Sequence, residues 1–417
     1  MKLKKLTHFL MIALLMGAFA IPAMSDPAVA SDEIKIGTLF VMTGKLGGYG
    51  KSGWQAVQLA VDEINASGGI MGRKVVAFNE DTKAKPEIGV QIAKKYILKE
   101  KVDFILGPTA SSVGLAVSDV CRQYKKIMVS TQSATDVMTG PQFHRYVFQV
   151  LSNALQHARS GASLMADLPY KRWMGLGPDY SYGHSSWDSF QKKIKALRPD
   201  VEIVGALFPK LMTADYTPYI NKIIEAKPDA VWCPLWGGDA VTFIKQALPF
   251  GVFDKIKFVF PVGASMEVLV PVGKAMPEDI YMSARYFFTS PNSPMNRKFV
   301  KDYYARFKEY PSYMAEESYA GVYFLKAAVE RAGTTDTEKI IDNIEKFPLA
   351  WETPEGWKIM GPGDHLVIED VVWGKTTYSE KYGFAILKNL ISIQAEEIGR
   401  TPEEIKAIRD NYEKKNK

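Results

Sequence analysis

Hydrophobic and polar residues follow two different periods along residues 34–150. Short apolar runs such as IKIGTLF and VDFILGP are typical of buried strands, and the longer segments between them carry apolar residues every three or four positions. One such segment, residues 50–66, ends close to the glycine pair at 68–69, which is a common helix stop. Strands that alternate with helices of this length predict βαβ units and a parallel sheet.

The same alternation starts again at residue 171. It runs from KRWMGLG through VEIVGALF and DAVWCPL to KFVFPV, with a helical segment after each of the first three strands. A long helical region follows DIYMSARYFF, and HLVIEDVVWG has the pattern of a further strand. The chain is therefore expected to be an α/β protein with two domains of similar size.

The first thirty residues have the composition of a secretory signal peptide. MKLKKLTH is a basic start, FLMIALLMGAFAIPAM is an apolar core too short to cross a membrane, and AVA at 28–30 supplies the small residues of a cleavage site. No Cys follows the apolar core, which disfavours a lipid anchor. No later stretch approaches the roughly 18 consecutive apolar residues of a membrane span, so we expect an exported, soluble product.

Charge and cysteine content narrow the class of protein further. The full chain carries a net charge of +6, and removal of residues 1–30, with three Lys and one Asp, leaves +4 (6 − 2). The basic residues form no stripe with interleaved aromatic residues, so we expect no nucleic-acid partner. Cys121 and Cys233 could form one disulfide, but their apolar surroundings favour two buried, unpaired thiols.

Signs of catalysis are weak along the whole chain. The sequence contains neither G-x-S-x-G nor H-E-x-x-H, and its histidines show no metal-ligand spacing. The carboxylate pairs Asp62-Glu63 and Glu316-Glu317 are expected on solvated faces of helices. These observations predict no catalytic residue, no metal and no cofactor.

Residues 48–53 match G-x-G-x-x-G, the glycine pattern of dinucleotide-binding turns. The first glycine of such a turn follows its strand almost directly, whereas here eight residues, Val41–Gly48, run from the strand end through the first glycine. The acidic residue expected about 20 positions later is also misplaced, since Glu80 and Asp81 lie 27 and 28 residues after Gly53. Dinucleotide binding is therefore disfavoured, and the glycines are interpreted as a tight turn that starts a helix.

Several segments, taken in order, resemble one known family. IKIGTLFVMTGKLGGYGKSGWQAVQLAVDEINASGGIMGRKV is similar to the opening of type I periplasmic solute-binding proteins of the leucine/isoleucine/valine-binding group, which serve ABC importers. Later segments resemble the ligand loops, second-lobe segments and return helix of that family: VDFILGPTASS, KIMVSTQSATDVMTG, PDYSYGHSSWDSF, CPLWGGDAVTFIKQALPFG and EESYAGVYFLKAAVERAG. The resemblance extends to about residue 395.

The resemblance implies an α/β fold of two Rossmann-like three-layer lobes joined by a three-strand hinge. Lobe 1 would hold residues 33–151 and 281–359, and lobe 2 would hold residues 152–280 and 360–395. The ligand would bind in the cleft between the lobes, which close by hinge motion. A cleft site agrees with the tendency of open α/β sheets to form pockets beyond the carboxyl ends of their strands. Residues 396–417 resemble a charged amphipathic helical tail.

Family positions that contact the ligand match ten residues of this chain. They belong to the carboxylate-holding loops, the cleft aromatics and the loop after KFVFPV: Tyr49, Thr109, Ala110, Ser111, Ser133, Ala134, Thr135, Tyr182, Trp236 and Gly263. Three of them have a structural alternative. Tyr49 could pack on its own lobe, Ser111 could cap the helix that SSVGLAV begins, and Trp236 could fill a core at a strand end. The loop before Ala134 also has one residue more than the family pattern.

The chain departs from the amino-acid binders of this family at one position. Those proteins place a Glu after the strand equivalent to KFVFPV, where it pairs with the ammonium group of the ligand. Here Gly263 or Ala264 stands at that position, and Glu267 is the nearest acid. A buried, unpaired ammonium group would cost several kcal/mol. The departure favours a carboxylate-bearing ligand without a specific α-amino group, and the cleft aromatics favour an aromatic or branched aliphatic acid.

Together these observations predict the exported solute-binding component of an ABC importer. It would capture a small apolar carboxylate, either a branched-chain amino acid or an aromatic acid, and deliver it to membrane permease subunits. It would act as a monomer and would not be an enzyme. Two alternatives stay open. One is a periplasmic sensor in which the same fold signals to a membrane receptor, and the other is an exported α/β enzyme.

Overall fold

The computed structural model describes residues 33–416. The predicted signal peptide, residues 1–30, lies outside the described residues. None of the helices described is both long and apolar enough to cross a membrane. Cys121 and Cys233 are buried and unpaired, which confirms the expectation of two free thiols.

Five strands follow one another in the first part of the chain: β1 (Glu33–Thr38), β2 (Lys74–Asn79), β3 (Phe104–Gly107), β4 (Ile127–Ser130) and β5 (Val147–Gln149). They form one parallel sheet in the order β2-β1-β3-β4-β5. Three helices connect them: α1 (Gly47–Ala66), α2 (Pro86–Lys95) and α3 (Ser111–Gln123). Strands β3 and β4 are buried on both faces, as expected for a parallel sheet that is covered by helices.

A second alternation of helices and strands begins at residue 154. Its strands are β6 (Arg172–Leu176), β7 (Glu202–Leu207), β8 (Ala230–Trp232), β9 (Lys257–Phe260) and β10 (Tyr281–Ala284). Its helices are α4 (Ala154–Ala166), α5 (Ser181–Leu197), α6 (Thr217–Ala226), α7 (Gly237–Ala247), α8 (Val252–Lys255) and α9 (Met266–Val272). The repeated order of elements is the one that the apolar pattern predicts.

The chain then returns to the first sheet. Three helices follow β10: α10 (Pro294–Phe307), α11 (Tyr313–Ala332) and α12 (Thr337–Lys346). A small antiparallel sheet comes next, formed by β11 (Leu349–Thr353), β12 (Gly356–Met360) and β13 (Val367–Ile368). Helix α11 packs along α1 and against β11, so this part of the chain covers one face of the five-stranded sheet.

Two long strands, β14 (Val371–Ser379) and β15 (Phe384–Ile393), complete a second, seven-stranded sheet in the order β15-β14-β10-β9-β8-β6-β7. The chain therefore crosses between the two sheets three times, after β5, after β10 and after β13. Residue 281, where the expected second segment of lobe 1 begins, is the first residue of β10, and residue 360, where the expected second segment of lobe 2 begins, is the last residue of β12. Strand β10 pairs with β9, and β13 pairs with β12. The apolar pattern of a strand does not indicate which sheet the strand joins.

The glycines of the G-x-G-x-x-G match lie inside α1 rather than in a tight turn before it. Gly50 sits against the loop after β1, where an added Cβ would lie 1.8 Å from the carbonyl oxygen of Val41. A Cβ on Gly53 would lie 2.2 Å from Nε2 of Gln132. The glycines therefore let the first turns of α1 approach two loops at strand ends, and this packing accounts for the motif.

Helix α11 is buried on most of its surface, and the prediction that Glu316 and Glu317 face solvent is wrong. Both side chains are fully buried. Glu316 lies 3.6 Å from Nζ of Lys358, and Glu317 lies 3.4 Å from Nη1 of Arg285. The pair has this position because α11 lies between α1 and the small antiparallel sheet, and a helix covered on two sides has no wide polar stripe.

The charged tail forms two helices, α13 (Ala395–Ile398) and α14 (Pro402–Asn416). Arg400, between them, pairs with Asp364 at 2.7 Å and donates to the carbonyl oxygen of Asp136 at 3.0 Å. Arg159 of α4 pairs with Glu404 at 2.6 Å. The tail therefore contacts both α4, beside the seven-stranded sheet, and the loop after β4 of the five-stranded sheet.

Arg400→Ala is expected to lower the free energy of unfolding by about 3 kcal/mol, because the carboxylate of Asp364 would stay buried without its cation. Chemical denaturation followed by circular dichroism measures this change. Lys406→Ala is the control in the same tail: the side chain of Lys406, which pairs with Asp410, is 73% exposed. This control should change stability by less than about 0.5 kcal/mol. Equal effects of the two variants would contradict a stabilising role for Arg400.

Candidate ligand-binding site

A small cavity of about 20 Å³ lies where the carboxyl ends of strands from both sheets meet. Its residues come from the loops after β3 and β4, from the loops after four strands of the second sheet, and from the start of α11: Ser111, Gln132, Ala134, Tyr180, Tyr182, Trp236, Val262, Arg285, Tyr313 and Met314. This is the place where parallel α/β sheets form binding pockets, because the loops that follow adjacent strands converge there.

Four helices begin at this cavity. Ser111 is the first residue of α3, Tyr182 lies in the first turn of α5, Trp236 directly precedes α7, and Tyr313 is the first residue of α11. The free amide groups and the dipole of a helix start favour negative charge. Each of the four helices has more than eight residues, so the backbone alone makes the cavity attractive to an anion.

Arg285 brings a full positive charge to the same cavity. Its side chain is 2% exposed, and its guanidinium group lies 5.1 Å from the centre of the Tyr313 ring. Nε donates to the carbonyl oxygen of Ser152 at 2.9 Å, and Nη1 lies 3.4 Å from Oε2 of Glu317. A buried guanidinium group that also faces a cavity can bind a carboxylate through two parallel hydrogen bonds.

Further hydrogen-bond donors point to the cavity. Tyr182 Oη is buried and has no hydrogen-bond partner among the side chains and backbone of residues 33–416. Burial raises the pKa of Tyr182, so its hydroxyl group stays protonated at neutral pH. Ser111 Oγ accepts from the amides of Ala134 and Thr135 at 3.2 and 3.1 Å, which leaves its hydrogen available for donation. An oxygen-rich ligand would satisfy donors that otherwise cost about 1–3 kcal/mol each.

Tyr49 lies behind the cavity and joins elements of the two sheets. It belongs to α1, and its ring packs edge-on against Trp236 at a centroid distance of 5.1 Å. Its hydroxyl group accepts from the amide of Gly237 at 3.0 Å and lies 2.8 Å from Oγ of Ser265. Gly237 begins α7 and Ser265 follows β9, so Tyr49 connects the helix after β1 to two loops of the seven-stranded sheet.

The residues that line the cavity include no Asp or Glu within the described part of the chain. Glu267, the acid nearest to the expected ammonium position, borders a separate groove with Tyr303 and Tyr310. Its Oε1 accepts from Oγ of Ser52 at 2.7 Å, and burial raises its pKa. An α-ammonium group in the cavity would therefore lack a carboxylate partner. Residues 33–416 also contain no group of three or more His, Cys, Asp or Glu side chains suited to a metal ion.

Comparison with known proteins gives the family of this chain. The model of a family described as periplasmic binding protein matches residues 33–377. The chain belongs to the periplasmic binding protein family. It is 27% identical over 343 residues to the Leu/Ile/Val-binding protein BraC3 of Rhizobium johnstonii, an alignment that covers 82% of this chain and 88% of that protein.

Two solved structures from Rhodopseudomonas palustris share the fold. One is a solute-binding protein of an ABC transporter in complex with 3,4-dihydroxybenzoic acid, with a TM-score of 0.81 and 23% identity, covering 89% of this chain and 99% of that one. The other, in complex with benzoate, has a TM-score of 0.77 and 21% identity, covering 88% and 99%. This periplasmic binding protein has the type I fold that the resemblance implied.

Four of the ten predicted ligand-binding residues line the cavity of this periplasmic binding protein: Ser111, Ala134, Tyr182 and Trp236. Thr109 and Ser133 direct their hydroxyl groups into the loops after β3 and β4. Thr109 Oγ1 donates to Oε1 of Gln132 at 2.6 Å, and Ser133 Oγ donates to the carbonyl oxygen of Pro108 at 2.6 Å. These two residues therefore hold the loops that carry Ser111 and Ala134 in place.

The other predicted residues also lie outside the cavity wall. Tyr49 lies behind Trp236, and Ala110 precedes α3 with a φ of 72°, a strained value for a residue with a side chain. Thr135 Oγ1 lies 2.7 Å from Oγ of Ser181, in α5. A Cβ on Gly263 would lie 2.5 Å from Cβ of Phe260, so packing requires a glycine there.

Six lining residues are missed by the sequence analysis: Gln132, Tyr180, Val262, Arg285, Tyr313 and Met314. Gln132 belongs to the loop that is one residue longer than the family pattern, and that extra length was a signal that the loop differs. Arg285 directly follows the apolar strand YMSA. A lone Arg at the carboxyl end of a buried strand was the second signal, because such a side chain has to be paired or functional.

Tyr49→Phe is expected to lower the free energy of unfolding by about 1–2 kcal/mol, because the buried amide of Gly237 loses its acceptor. Urea denaturation with the change in tyrosine and tryptophan fluorescence measures it. Tyr304→Phe is the matched control, since Tyr304 is 43% exposed and should change stability by less than about 0.5 kcal/mol. An unchanged midpoint for Tyr49→Phe would mean that the hydroxyl group does not stabilise the contact between the two sheets.

Proposed function

We propose that this protein binds a small aromatic carboxylate in the cavity, as the solute-binding component of an ABC importer. The observation that carries the proposal is the guanidinium group of Arg285, which is buried and faces the cavity. A buried cation is strongly destabilising unless it is paired. A ligand carboxylate would complete its coordination beside the carbonyl oxygen of Ser152 and the carboxylate of Glu317.

The rest of the wall fits a flat apolar ring. Tyr180, Tyr182, Trp236 and Tyr313 contribute aromatic faces and edges, which bind rings in edge-on or offset stacked arrangements. The cavity has a volume of about 20 Å³, far below the roughly 300–1,000 Å³ of sites for drug-sized ligands, so a ligand can enter only when the two sides of the wall move apart. The complexes of two structural relatives with benzoate and 3,4-dihydroxybenzoic acid support the same ligand class.

The lack of a carboxylate in the wall separates this ligand class from α-amino acids. A zwitterionic ligand would place its ammonium group among aromatic side chains and helix starts, where it would lose several kcal/mol of hydration without a counter-charge. A branched aliphatic acid without an amino group would fit the charge of the site. It would leave the aromatic side chains without ring partners, and we therefore favour an aromatic acid.

The three chain crossings support a hinge between two lobes. Lobe 1 would hold the five-stranded sheet with α10–α12 and the small sheet, and lobe 2 would hold the seven-stranded sheet. Opening would separate Tyr49 from Gly237 and Ser265 and admit the solute. In this proposal the protein acts in the periplasm as a monomer, delivers its solute to membrane permease subunits and catalyses no reaction.

The proposed ligand class is tested with a matched set of small molecules. Benzoate, 4-hydroxybenzoate, benzamide and leucine are compared by thermal shift and by isothermal titration calorimetry. We expect the two benzoates to bind, benzamide to bind far more weakly because it carries no charge, and leucine not to bind. A ligand at 100 times its Kd should add about 2.7 kcal/mol of stability. Tight binding of leucine with no response to either benzoate would contradict the proposal.

Arg285→Gln is expected to weaken benzoate binding by at least about 100-fold, since a charge-assisted hydrogen bond contributes about 1.5–3 kcal/mol and two are proposed. Titration calorimetry and quenching of Trp236 fluorescence measure the loss. Arg297→Gln, at an exposed position of α10, is the control and should bind as the unaltered protein does. Circular dichroism shows whether Arg285→Gln is folded. Unchanged benzoate affinity in folded Arg285→Gln would remove Arg285 from the site.

A further inference from the structure

A cluster of buried charges lies at the three chain crossings. Ser152 lies in the first crossing, Arg285 is the first residue of the second crossing, and Glu369 is the first residue of the third. The carbonyl oxygen of Ser152 accepts from Nε of Arg285, and its amide donates to Oε1 of Glu369. Glu369 also pairs with Lys358 of β12. The segments that connect the two sheets are therefore joined to one another through charged side chains that are shielded from water.

Glu317 is the member of this cluster that stands directly behind Arg285. It is 0% exposed, and its Oε2 lies 3.4 Å from Nη1 of Arg285. Its Oε1 has no hydrogen-bond partner within residues 33–416. A fully ionised carboxylate would need several hydrogen-bond donors to compensate for its lost hydration. The carboxylate of Glu317 has only the guanidinium group of Arg285 at 3.4 Å.

The cluster holds more carboxylates than cations. Three fully or nearly fully buried carboxylates, of Glu316, Glu317 and Glu369, face two buried cations, Arg285 and Lys358. The carboxylate of Glu355 stands at the margin, 2.8 Å from Lys358. With every group ionised, the buried part already has a net charge of −1 (2 − 3), and an anion bound to Arg285 would make it −2.

We propose that Glu317 controls the binding of anions in the cavity: a ligand carboxylate binds Arg285 only when Glu317 carries a proton. This inference rests on the proposed function and concerns the same site. Arg285 cannot serve two close, buried carboxylates equally well. The ligand carboxylate takes the stronger interaction, and Glu317 becomes neutral by accepting a proton from solution. Binding therefore takes up a proton wherever Glu317 is ionised in the free protein.

The surroundings of Glu317 favour its protonated form. Burial raises the pKa of Glu317 well above its usual value, and the nearby charges of Arg285 and Lys358 oppose that effect. Glu369 and Glu316 raise it further. An added ligand carboxylate would act in the same direction as these two. The pKa of Glu317 is therefore higher in the bound protein than in the free protein.

The other titratable groups near Arg285 do not account for a proton in this range. His157 of α4 is fully buried, and burial together with Arg285 lowers its pKa well below the usual value. Tyr182 and Tyr313 have pKa values raised by burial. All three stay neutral through neutral and mildly alkaline pH. Glu355 has a pKa raised by burial as well, but it faces Lys358 rather than Arg285.

The direction of the pH dependence follows from the two pKa values of Glu317. Below its pKa in the free protein, Glu317 is already protonated and the affinity for an anion is at its maximum. As the pH rises above that value, the affinity falls tenfold per unit, until the pKa of the bound protein is reached. Ligand binding should therefore be stronger at lower pH, although the ligand itself stays an anion.

The test measures benzoate binding by titration calorimetry between about pH 6 and pH 10, in pairs of buffers with different ionisation enthalpies. Benzoate is ionised throughout this range. We expect an affinity that falls with rising pH and an uptake that approaches one proton per benzoate. Glu317→Gln, a neutral side chain of the same shape, should bind with a pH-independent affinity, close to that of the unaltered protein at low pH. Glu330→Gln, at an exposed position of the same helix, should keep the full pH dependence.

Each outcome separates this inference from the proposed function. Benzoate binding with a flat pH profile and no proton uptake would overturn the role of Glu317 while leaving the ligand class intact. An equal pH dependence in Glu317→Gln would assign the proton to another group and would also overturn it. Absence of benzoate binding at every pH in the folded protein would overturn the proposed ligand class, and this inference with it.

Discussion

A guanidinium group that is removed from water needs compensation on every side, and the surroundings of Arg285 provide it from segments far apart in sequence. Ser152 lies 133 residues before it and Glu317 lies 32 residues after it. Ser152 in turn binds Glu369 in the third crossing. The connection between the two sheets is therefore organised around one buried cation. The same cation lines the cavity, so the hinge and the binding site share a single charge balance.

The backbone adds partial positive charge on the cavity side of Arg285. The starts of α3, α5, α7 and α11 all point to the cavity, and their partial positive charges add to that of Arg285. The cluster of carboxylates lies on the far side of Arg285, away from the cavity wall. The carboxylates attract the guanidinium group, and the helix starts raise the positive potential on its cavity side. An anion in the cavity would complete an alternation of charges that the fold itself begins.

The fold could be predicted from the sequence more completely than the binding site. The apolar periods and the family resemblance gave the two alternating domains, because helix and strand periods are local properties of the chain. They also placed Ser111 at the start of a helix and Trp236 at the end of a strand. They could not show that Thr109 and Ser133 turn into their own loops, since the direction of a hydroxyl group depends on its neighbours in space. The burial of Glu317 likewise depends on a cation 32 positions away.

The difference from amino-acid binders comes down to where the carboxylates stand. In those relatives a Glu after the fourth strand of the second lobe faces the ligand and neutralises its ammonium group, as the family resemblance implies. Here Gly263 or Ala264 stands at that position, Gly263 packs against Phe260, and Glu317 stands behind Arg285. A carboxylate in the wall selects a ligand with a positive group, whereas a carboxylate behind a cation only tunes how strongly that cation attracts an anion. Under the proposed function, the same fold would exchange a zwitterion for a simple acid when one negative charge moves from the front of the cavity to the hinge.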